Sequence, residues 1–573
     1  MTVPTKSTGA ECHITELAVI PSRLIDGSLN AADLKKDETD KEPPSPAVCV
    51  PSLVPVSQDG RPVATEEEIA TLLHVVDDIP SRTWIACLIG ACERFVWAAG
   101  TMPLQNYIQN APGGAIPGAL GLGQATASNI VNALMISSYV TPIPAAILAD
   151  SGHGRYRTLV WSCIIEAIGG TILAATSWSG AFEAGAAFPG MIVALVFLSF
   201  GSGAFKTAVI PFIVDQYEET EFRVKTLKSG EKVVTSRELT ITYIYNAFFW
   251  AENVVAIVTV ATPILERYVN FFAAYLVPCV VMWLTLIPLL LAKKRFANTK
   301  AGEENVIPAV AKALWCGAAS GFKMDAAKPA AQLDRKRRAV PWTDSFIDDI
   351  KTSLLTCRVL LIFPVYWLCF NQAFNNLISQ AGQMITYGIP NDVIMVTGAI
   401  AGVFVGPLVQ YGLYPFLTRR RIRFGPIARI TFGFGLLTIS MAYIVVVQYL
   451  IYRAGPCYDH PLTCAAGRNM PNQVSVCIQL PFYFLSELAS VFCCTTGTEY
   501  AYNRAPKSMK TLVQAIWNLM AGIGSILALP LSPLAQDPRL VVMYGVLTGL
   551  MGVGTVLTWV IFGHLDKEET AML

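Results

Sequence analysis

The stretch WIACLIGACERFVWAAG, residues 84–100, is apolar at almost every position yet carries two adjacent opposite charges, Glu93 and Arg94. An α-helix needs roughly 20 apolar residues to cross a bilayer, and the surrounding run approaches that length. A charge in the middle of such a helix costs about 3 kcal/mol and usually marks a functional site. The stretch therefore predicts a membrane-spanning helix with a role beyond anchoring.

The composition extends this prediction to the whole chain. Of its 573 residues, 53% are hydrophobic and 14% are charged, and the mean hydropathy is +0.48. Soluble domains carry about 25% charged residues. The net charge of +1 gives no electrostatic reason to expect a nucleic-acid partner. These values indicate a polytopic membrane protein whose immediate partner is lipid.

Apolar runs recur along the chain at a length suited to membrane spans. Twelve are predicted, in two halves of six, which indicates an all-α membrane protein with two six-helix bundles. The predicted spans are 84–104, 126–149, 158–178, 187–210, 241–262, 269–292, 354–378, 391–416, 427–450, 474–497, 512–534 and 541–563.

The placement of Lys and Arg predicts the orientation, because cytosolic loops carry the excess of basic residues. The loops after even-numbered spans are the basic ones, so both termini are expected in the cytosol. The predicted organisation is a disordered cytosolic tail, an N-terminal bundle, a cytosolic linker, a C-terminal bundle and a cytosolic C-terminal tail. Their respective boundaries are 1–80, 81–292, 293–351, 352–564 and 565–573.

Most cysteines lie inside apolar runs and are interpreted as small hydrophobic residues, so no metal site is predicted. Cys457 and Cys464 differ because they flank a polar loop, GPCYDHPLTC, which the orientation places outside the cytosol. A disulfide between them is predicted if that loop faces an oxidising compartment, and two free thiols remain the alternative.

The loop between the second and third predicted spans reads DSGHGRYR, residues 150–157. Asp150, Gly154 and Arg155 stand at the spacing of a loop motif that it resembles in the major facilitator superfamily. In that superfamily an acid and basic residues lock the cytosolic ends of neighbouring helices. A positive-inside loop without this lock is the alternative interpretation.

Charged residues are rare inside predicted spans, and five of them are singled out as candidates, each either a functional residue or a paired structural charge. They are Glu93, Arg94, Lys206, Glu252 and Glu487. Helical spacing places Gly90, Glu93, Arg94 and Trp97 on one face, with Lys206 as a predicted partner. A basic pole in one half and Glu487 in the other would suit a zwitterionic ligand.

Polar and aromatic residues form two further stripes. Trp367 and Asn371 share a face of span seven, and Asn253 follows Glu252 in span five. Such stripes line a ligand cavity or serve only as helix-packing surfaces, and the pattern alone favours neither.

From about residue 84 to 562 the chain resembles the proton-dependent oligopeptide transporter family, especially its fungal branch. The resemblance rests on CERF in span one, Lys206 in span four, Asn253 in FFWAENVVAI, and two longer segments. These segments are PVYWLCFNQAFNNLISQAGQM (364–384) and SELASVFCCTTGTEYAYNRAPKSMK (486–510).

The resemblance implies roles for individual residues. Glu487 would receive a peptide amino group, and Arg94 and Lys206 would face its carboxylate. Glu93 would belong to the proton-coupling network, for which Arg94, Lys206 and Glu252 are further candidates. Asn253, Trp367, Asn371 and Trp97 fall at or beside positions that line the peptide cavity in the family.

The chain also departs from the family pattern. The first acid of the span-one motif falls on Gly90, and its paired tyrosines fall on Trp97 and Ala98. An acid found in span seven of many relatives is Asn371, and Glu252 is an added carboxyl. The hypothesis is that proton coupling is weakened, or rerouted through Glu93, Glu252 or Glu487.

The expected function is alternating-access transport of di- and tripeptides across a membrane, with the proton as coupling ion, no bound cofactor and no enzymatic activity. The plasma membrane is expected by resemblance. Two alternatives stay open: a carrier or exporter of a peptide-derived secondary metabolite, and a transporter-like nutrient sensor.

Overall fold

Within the described part of the chain, twelve helical segments are long and apolar enough to cross a membrane, as predicted. The computed structural model describes residues 63–114, 116–148, 154–219, 221–227, 230–297, 306–321, 323–336, 340–420, 424–461, 470–506 and 509–566. In order, spans one to twelve are Ser81–Gln109, Gln124–Leu148, Arg155–Thr176, Ala187–Asp215, Arg237–Tyr268, Phe271–Lys294, Asp344–Gly382, Val393–Leu417, Pro426–Arg453, Val476–Ala501, Leu512–Leu534 and Leu540–Phe562.

Several spans are interrupted near prolines, which remove a backbone donor and crowd the preceding turn. Span one changes direction at Pro103, between helices Ser81–Thr101 and Leu104–Gln109. Span two breaks before Pro142. Spans eight and ten contain π-helical turns at Leu408–Leu413 and Val491–Thr495, a feature often found at functional sites.

The shorter elements lie before and between the spans. The α-helices are Glu66–Thr71, Ser179–Glu183, Val306–Ala318 and Pro329–Lys336, and a 3₁₀ turn covers Met324–Ala327. The strands are β1 (His74–Val75), β2 (Arg223–Thr226) and β3 (Lys232–Thr235).

Each half of the molecule has its own apolar core. Two buried clusters contain residues of spans one to six, and a larger one contains residues from Cys357 to Leu565. We call these the N-half (81–294) and the C-half (344–562). Because the number of spans is even, the start of span one and the end of span twelve lie on the same side of the protein. We call this side the terminal end and the opposite side the distal end.

Spans three and four pack most extensively against each other in the N-half, and small residues allow them to approach. A Cβ added at Gly169 would lie 2.9 Å from the backbone nitrogen of Leu198 and 2.9 Å from Phe197 Cβ. A Cβ at Gly201 would lie 2.7 Å from Glu166 Cβ. The two glycines therefore set the separation of spans three and four.

The predicted disorder of residues 1–80 is wrong for the part that the structure describes. Residues 66–71 form a helix with a Thr65–Glu68 capping box, and β1 pairs with β3. Strand β3 also pairs with β2, giving sheet order β1-β3-β2 at the terminal end. This sheet was missed in the sequence analysis because its strands have only two to four residues and lie among charged residues outside the apolar runs.

The segment 293–351 is not merely a linker. Helix Val306–Ala318 packs through Val310 and Ala313 against a cluster that includes Ile347 and Met509 at the terminal end of the C-half. Span seven also begins at Asp344, ten residues before the prediction. The C-terminal tail starts with an ordered contact, in which the Asp566 carboxylate accepts backbone hydrogen bonds from Ile427 and Ala428 at the start of span nine.

The loop motif is partly described. Gly154 has φ +80°, and Arg155 begins span three. Arg155 Nη1 donates to both carboxylate oxygens of Asp215, at 2.8 Å each, which joins the ends of spans three and four. Asp150 lies outside the described residues, so its predicted part in this lock stays a prediction.

Cys457 is disulfide-bonded at the distal end, between spans nine and ten. Its predicted partner, Cys464, lies outside the described residues. The cysteines within the spans are free thiols, as their apolar surroundings indicated.

Polar contacts that cross between the halves gather toward the distal end. Gln105 Nε2 donates to Ser379 Oγ at 3.4 Å, and Gln124 Nε2 donates to Asn376 Oδ1 at 2.8 Å. Tyr268 donates to the carbonyl of Gly388 at 2.8 Å. The halves are thus joined at the distal end in this conformation.

Gly169→Ala should destabilise the N-half by about 1–3 kcal/mol, because the added methyl meets backbone that cannot move independently of the helix. Thermal unfolding of the purified protein in detergent measures this. Gly549→Ala in span twelve is the matched control, since a Cβ there meets nothing within 4 Å. Equal melting temperatures for both variants would contradict the proposed role of close packing.

Candidate functional site

The charged residues predicted in spans one and four meet in the middle of the N-half. Glu93 is 4% exposed, and its Oε1 accepts a hydrogen bond from Ser202 Oγ at 2.7 Å. Lys206, one turn after Ser202, places Nζ 4.2 Å from the ring centroid of Trp97. This cation–π contact holds the ammonium group beside the buried carboxyl.

Arg94 and Glu252 complete the predicted group. Arg94 is exposed although Glu93 beside it is buried, so the two adjacent charges point to different environments. Glu252 of span five interacts electrostatically with Arg94 and Lys206. The structure therefore brings together all four residues predicted for proton coupling: Glu93, Arg94, Lys206 and Glu252.

A further acid, Glu166 of span three, belongs to this cluster and is absent from the predicted set. Its side chain is 0% exposed, and neither carboxyl oxygen has a hydrogen-bond partner among the described residues. It interacts electrostatically with Glu93 and Lys206. The rarity of charges inside spans, which singled out the other five residues, applies equally to Glu166 in WSCIIEAIGG.

Gly90 offers no space for the acid that the family resemblance leads us to expect there. A Cβ at this position would lie 2.6 Å from Phe248 Cε2 and 3.0 Å from Val209 Cγ2. Apolar side chains from spans five and four have filled the site. The second carboxyl of the cluster comes from Glu166 instead, on a different helix. We call Glu93, Glu166 and Lys206 the coupling cluster.

The acidic residue of the C-half, Glu487, lies in the middle of span ten, just before the π-helical turn. It is partly buried, and its Oε1 lies 2.8 Å from where a Cβ on Gly402 would stand. The glycine lets span eight approach the carboxylate closely. Glu487 is therefore presented from a packed helix pair rather than from a loop.

The other predicted cavity residues lie on different surfaces. Trp367 packs against Tyr139 of span two, with ring centroids 6.1 Å apart, and so contacts the N-half. Asn371 Nδ2 donates to Ser525 Oγ of span eleven at 3.0 Å. Asn253 Nδ2 donates to the carbonyl of Phe249 in its own helix at 2.8 Å. Only Trp367 of these three bridges the halves by a contact described here.

Comparison with known proteins identifies the family. The sequence profile of the POT family, PTR2, matches residues 156–548. The chain belongs to the POT family. The resemblance noted from the span motifs is thereby confirmed, and the family is one of transporters rather than enzymes.

Two curated relatives match over most of their length. The probable peptide transporter ptr2 of Schizosaccharomyces pombe is 37% identical over 517 residues, covering 90% of this chain and 83% of the relative. Peptide transporter PTR_C of Candidozyma auris is 35% identical over 516 residues, covering 90% and 89%.

Among solved structures, the crystal structure of the POT family transporter PepTSo superposes with a TM-score of 0.67. The match covers 87% of this chain and 99% of that one at 19% identity. This likeness supports the fold, two six-helix bundles of the major facilitator type. The roles of individual site residues remain predictions.

Replacing Glu166 by Leu should raise thermal stability by about 1–4 kcal/mol, because it removes a buried carboxyl that lacks a hydrogen-bond partner. Glu93→Leu should lower it by about 1–3 kcal/mol, since Ser202 would lose its acceptor. Melting temperatures of the two variants in the same detergent test this. A loss of stability in Glu166→Leu as large as that in Glu93→Leu would show that Glu166 has a structural partner.

Proposed function

We propose that the protein is a proton-coupled symporter of di- and tripeptides that works by alternating access between its two halves. One observation carries the proposal: two buried carboxyls and a lysine meet in the N-half, while span ten of the C-half presents the carboxyl of Glu487 from its middle. The names of the relatives, peptide transporters, support the same substrate class.

A peptide zwitterion fits the two poles. Its amino group would pair with Glu487, and its carboxylate would face Arg94 and Lys206. Charge-assisted hydrogen bonds of this kind are the strong ones in a dry site. Trp97 and Trp367 would supply apolar walls for side chains, and Asn253 and Asn371 would supply amide donors.

Coupling follows from competition for Lys206. With the cavity empty, the ammonium group compensates the negative charge of Glu93 or Glu166. A substrate carboxylate that draws the ammonium group away leaves the two buried acids uncompensated, so each would have to hold a proton. Peptide binding and proton binding would then favour each other, as thermodynamic linkage requires. Glu166 would provide the carboxyl that Gly90 lacks.

The orientation is proposed from the basic loops, which make the terminal end cytosolic and the distal end extracytosolic. The disulfide at Cys457 lies at the distal end, which fits an oxidising side. We place the protein in the plasma membrane, where an acidic exterior would drive uptake.

Glu93→Gln and Glu166→Gln should each lower peptide uptake driven by a pH gradient by about 5- to 150-fold, the range of typical coupling free energies. Exchange of labelled for unlabelled peptide without a gradient should continue, because substrate binding is retained. Gradient-driven uptake is measured in proteoliposomes whose internal buffer is more alkaline than the medium. Gradient-free exchange is measured by counterflow.

Glu183→Gln is the matched control for this experiment, because Glu183 is an exposed acid in the loop after span three. It should leave both activities unchanged. Full gradient-driven uptake by a Glu93→Gln/Glu166→Gln double variant would overturn the proposed coupling route.

Glu487→Gln should weaken competition by peptides with a free amino terminus by about 10- to 150-fold, because it removes a charge-assisted hydrogen bond worth about 1.5–3 kcal/mol. Peptides acetylated at the amino terminus should bind both proteins equally and weakly. Competition against a labelled dipeptide gives these values.

The same assay on the unaltered protein separates the alternatives. Failure of every member of a dipeptide panel to compete or be taken up would reject peptide transport. Binding of a peptide without its translocation would instead indicate a sensor.

A further inference from the structure

A second pair of buried acids lies outside the coupling cluster, at the distal contact between the halves. Glu266 belongs to the last turn of span five, and Asp392 immediately precedes span eight. Their side chains are 4% and 0% exposed. One carboxyl comes from each half, so they separate whenever the distal ends separate.

An amide network surrounds the pair. Asn106 Nδ2 donates to Glu266 Oε1 and to Asn391 Oδ1, both at 2.9 Å. Asn391 Nδ2 donates back to Asn106 Oδ1 at 3.0 Å and to the carbonyl of Ile378 at 2.9 Å. These bonds fix the backbone around Asp392 against the end of span one.

The network leaves three carboxyl oxygens without a hydrogen bond of good geometry among the described residues: Glu266 Oε2 and both oxygens of Asp392. The backbone N–H groups of Asp392 and Val393 lie near the Asp392 carboxyl and partly offset its burial. The two carboxyl groups contact each other directly. Two ionised carboxylates have no hydrogen to share and repel each other in a buried site. One proton between them converts the repulsion into a charge-assisted O–H···O bond.

The other titratable groups that face the two carboxyl groups do not replace the shared proton. They are the phenols of Tyr275 and Tyr483, from spans six and ten, and the guanidinium of Arg267 on the same helix as Glu266. The phenols are neutral at physiological pH. Arg267 attracts the ionised form of Glu266, but this attraction is weaker than the effects of burial and of the neighbouring Asp392 on that carboxyl.

We propose that Glu266 and Asp392 form a proton-binding site that closes the distal end: one proton is taken up when the halves meet there and is released when they part. The proposal rests on alternating access from the proposed function, but not on the identity of the substrate. It assigns the pair a gating role that is separate from the coupling cluster.

The pH dependence has a definite sign. Burial raises the pKa of Asp392 to about 7, whereas water around the opened pair would return it to about 4. Closure is therefore fully favoured below about pH 4 and loses favour as the pH rises toward about 7. Over that interval one proton shifts the closed-to-open ratio by about tenfold per pH unit. Acid at the distal side would drive closure.

Another distal acid provides a matched control. Burial raises the pKa of Asp537 to about 6, and Tyr452 and Gln383 donate to it. All three residues belong to the C-half, so titration of Asp537 does not act across the interface between the halves.

The test measures the distal separation in substrate-free, full-length protein in nanodiscs. Spin labels on Ala184→Cys of the N-half and on the exposed native Cys477 of the C-half report the distance, with other reactive cysteines replaced by serine. As the pH is lowered from 8 to 5 the closed-to-open ratio should rise, by up to about tenfold per pH unit below pH 7.

In Glu266→Gln and in Asp392→Asn, the amide donates to the remaining carboxylate without a proton, so the closed population should be high and independent of pH. Asp537→Asn should keep the pH dependence. Size-exclusion profiles show whether each variant is folded. If only one of Glu266→Gln and Asp392→Asn folds, that variant alone tests the proposal.

Unchanged pH dependence in both pair variants would overturn the proposal. So would a closed population that responds to Na⁺ or Ca²⁺ at constant pH, because a cation would then hold the carboxyls. The spin-label measurement contains no peptide, so it tests the gate even if the protein does not transport peptides. The uptake assays likewise test peptide transport even if the proposed gate is wrong.

Discussion

The cost of burying a carboxyl group in a membrane-spanning protein governs both polar regions of this structure. A buried acid must find donors, a cation or a proton, and the described structure gives Glu93 one hydroxyl and Glu166 none. Such residues persist where their changing protonation is useful. The coupling cluster and the distal acid pair are two solutions to the same constraint, one with a lysine and one without.

The two regions divide the work of a transport cycle. The coupling cluster lies within one half, where Trp97 holds Lys206 next to the acids and a ligand from the other half can compete for it. The distal pair lies between the halves and is sensitive to their separation rather than to the ligand. A proton-driven cycle needs both kinds of sensitivity, because binding must depend on protons and access must depend on conformation.

Much of this arrangement was predictable from local sequence. Span length, the two halves and the grouping of Glu93, Arg94, Lys206 and Glu252 follow from apolar run length and from the rarity of charges inside it. The same rule would have found Glu166. Glu266 and Asp392 were harder, because acids near the ends of spans resemble ordinary loop residues until the chain brings the two halves together.

Other features depended on contacts distant in sequence. The partner of Arg155 is Asp215 at the far end of the next span, and no local pattern connects them. The helix Val306–Ala318 was assigned to the linker in the sequence analysis, because its apolar face is buried by residues of the C-half that are distant in sequence. Gly90 departs from the expected family motif, but only the structure shows that Phe248 fills the space beside it and that Glu166 of span three interacts with Glu93.

The most direct test of proton-coupled transport is the reversal potential of peptide flux in proteoliposomes that contain the unaltered protein. The account predicts that flux of a labelled zwitterionic dipeptide reverses at a membrane potential that shifts by about 59 mV per unit of imposed pH gradient, because each proton that moves carries one charge. Net flux whose direction follows the peptide gradient alone, at every pH gradient and membrane potential, would contradict it.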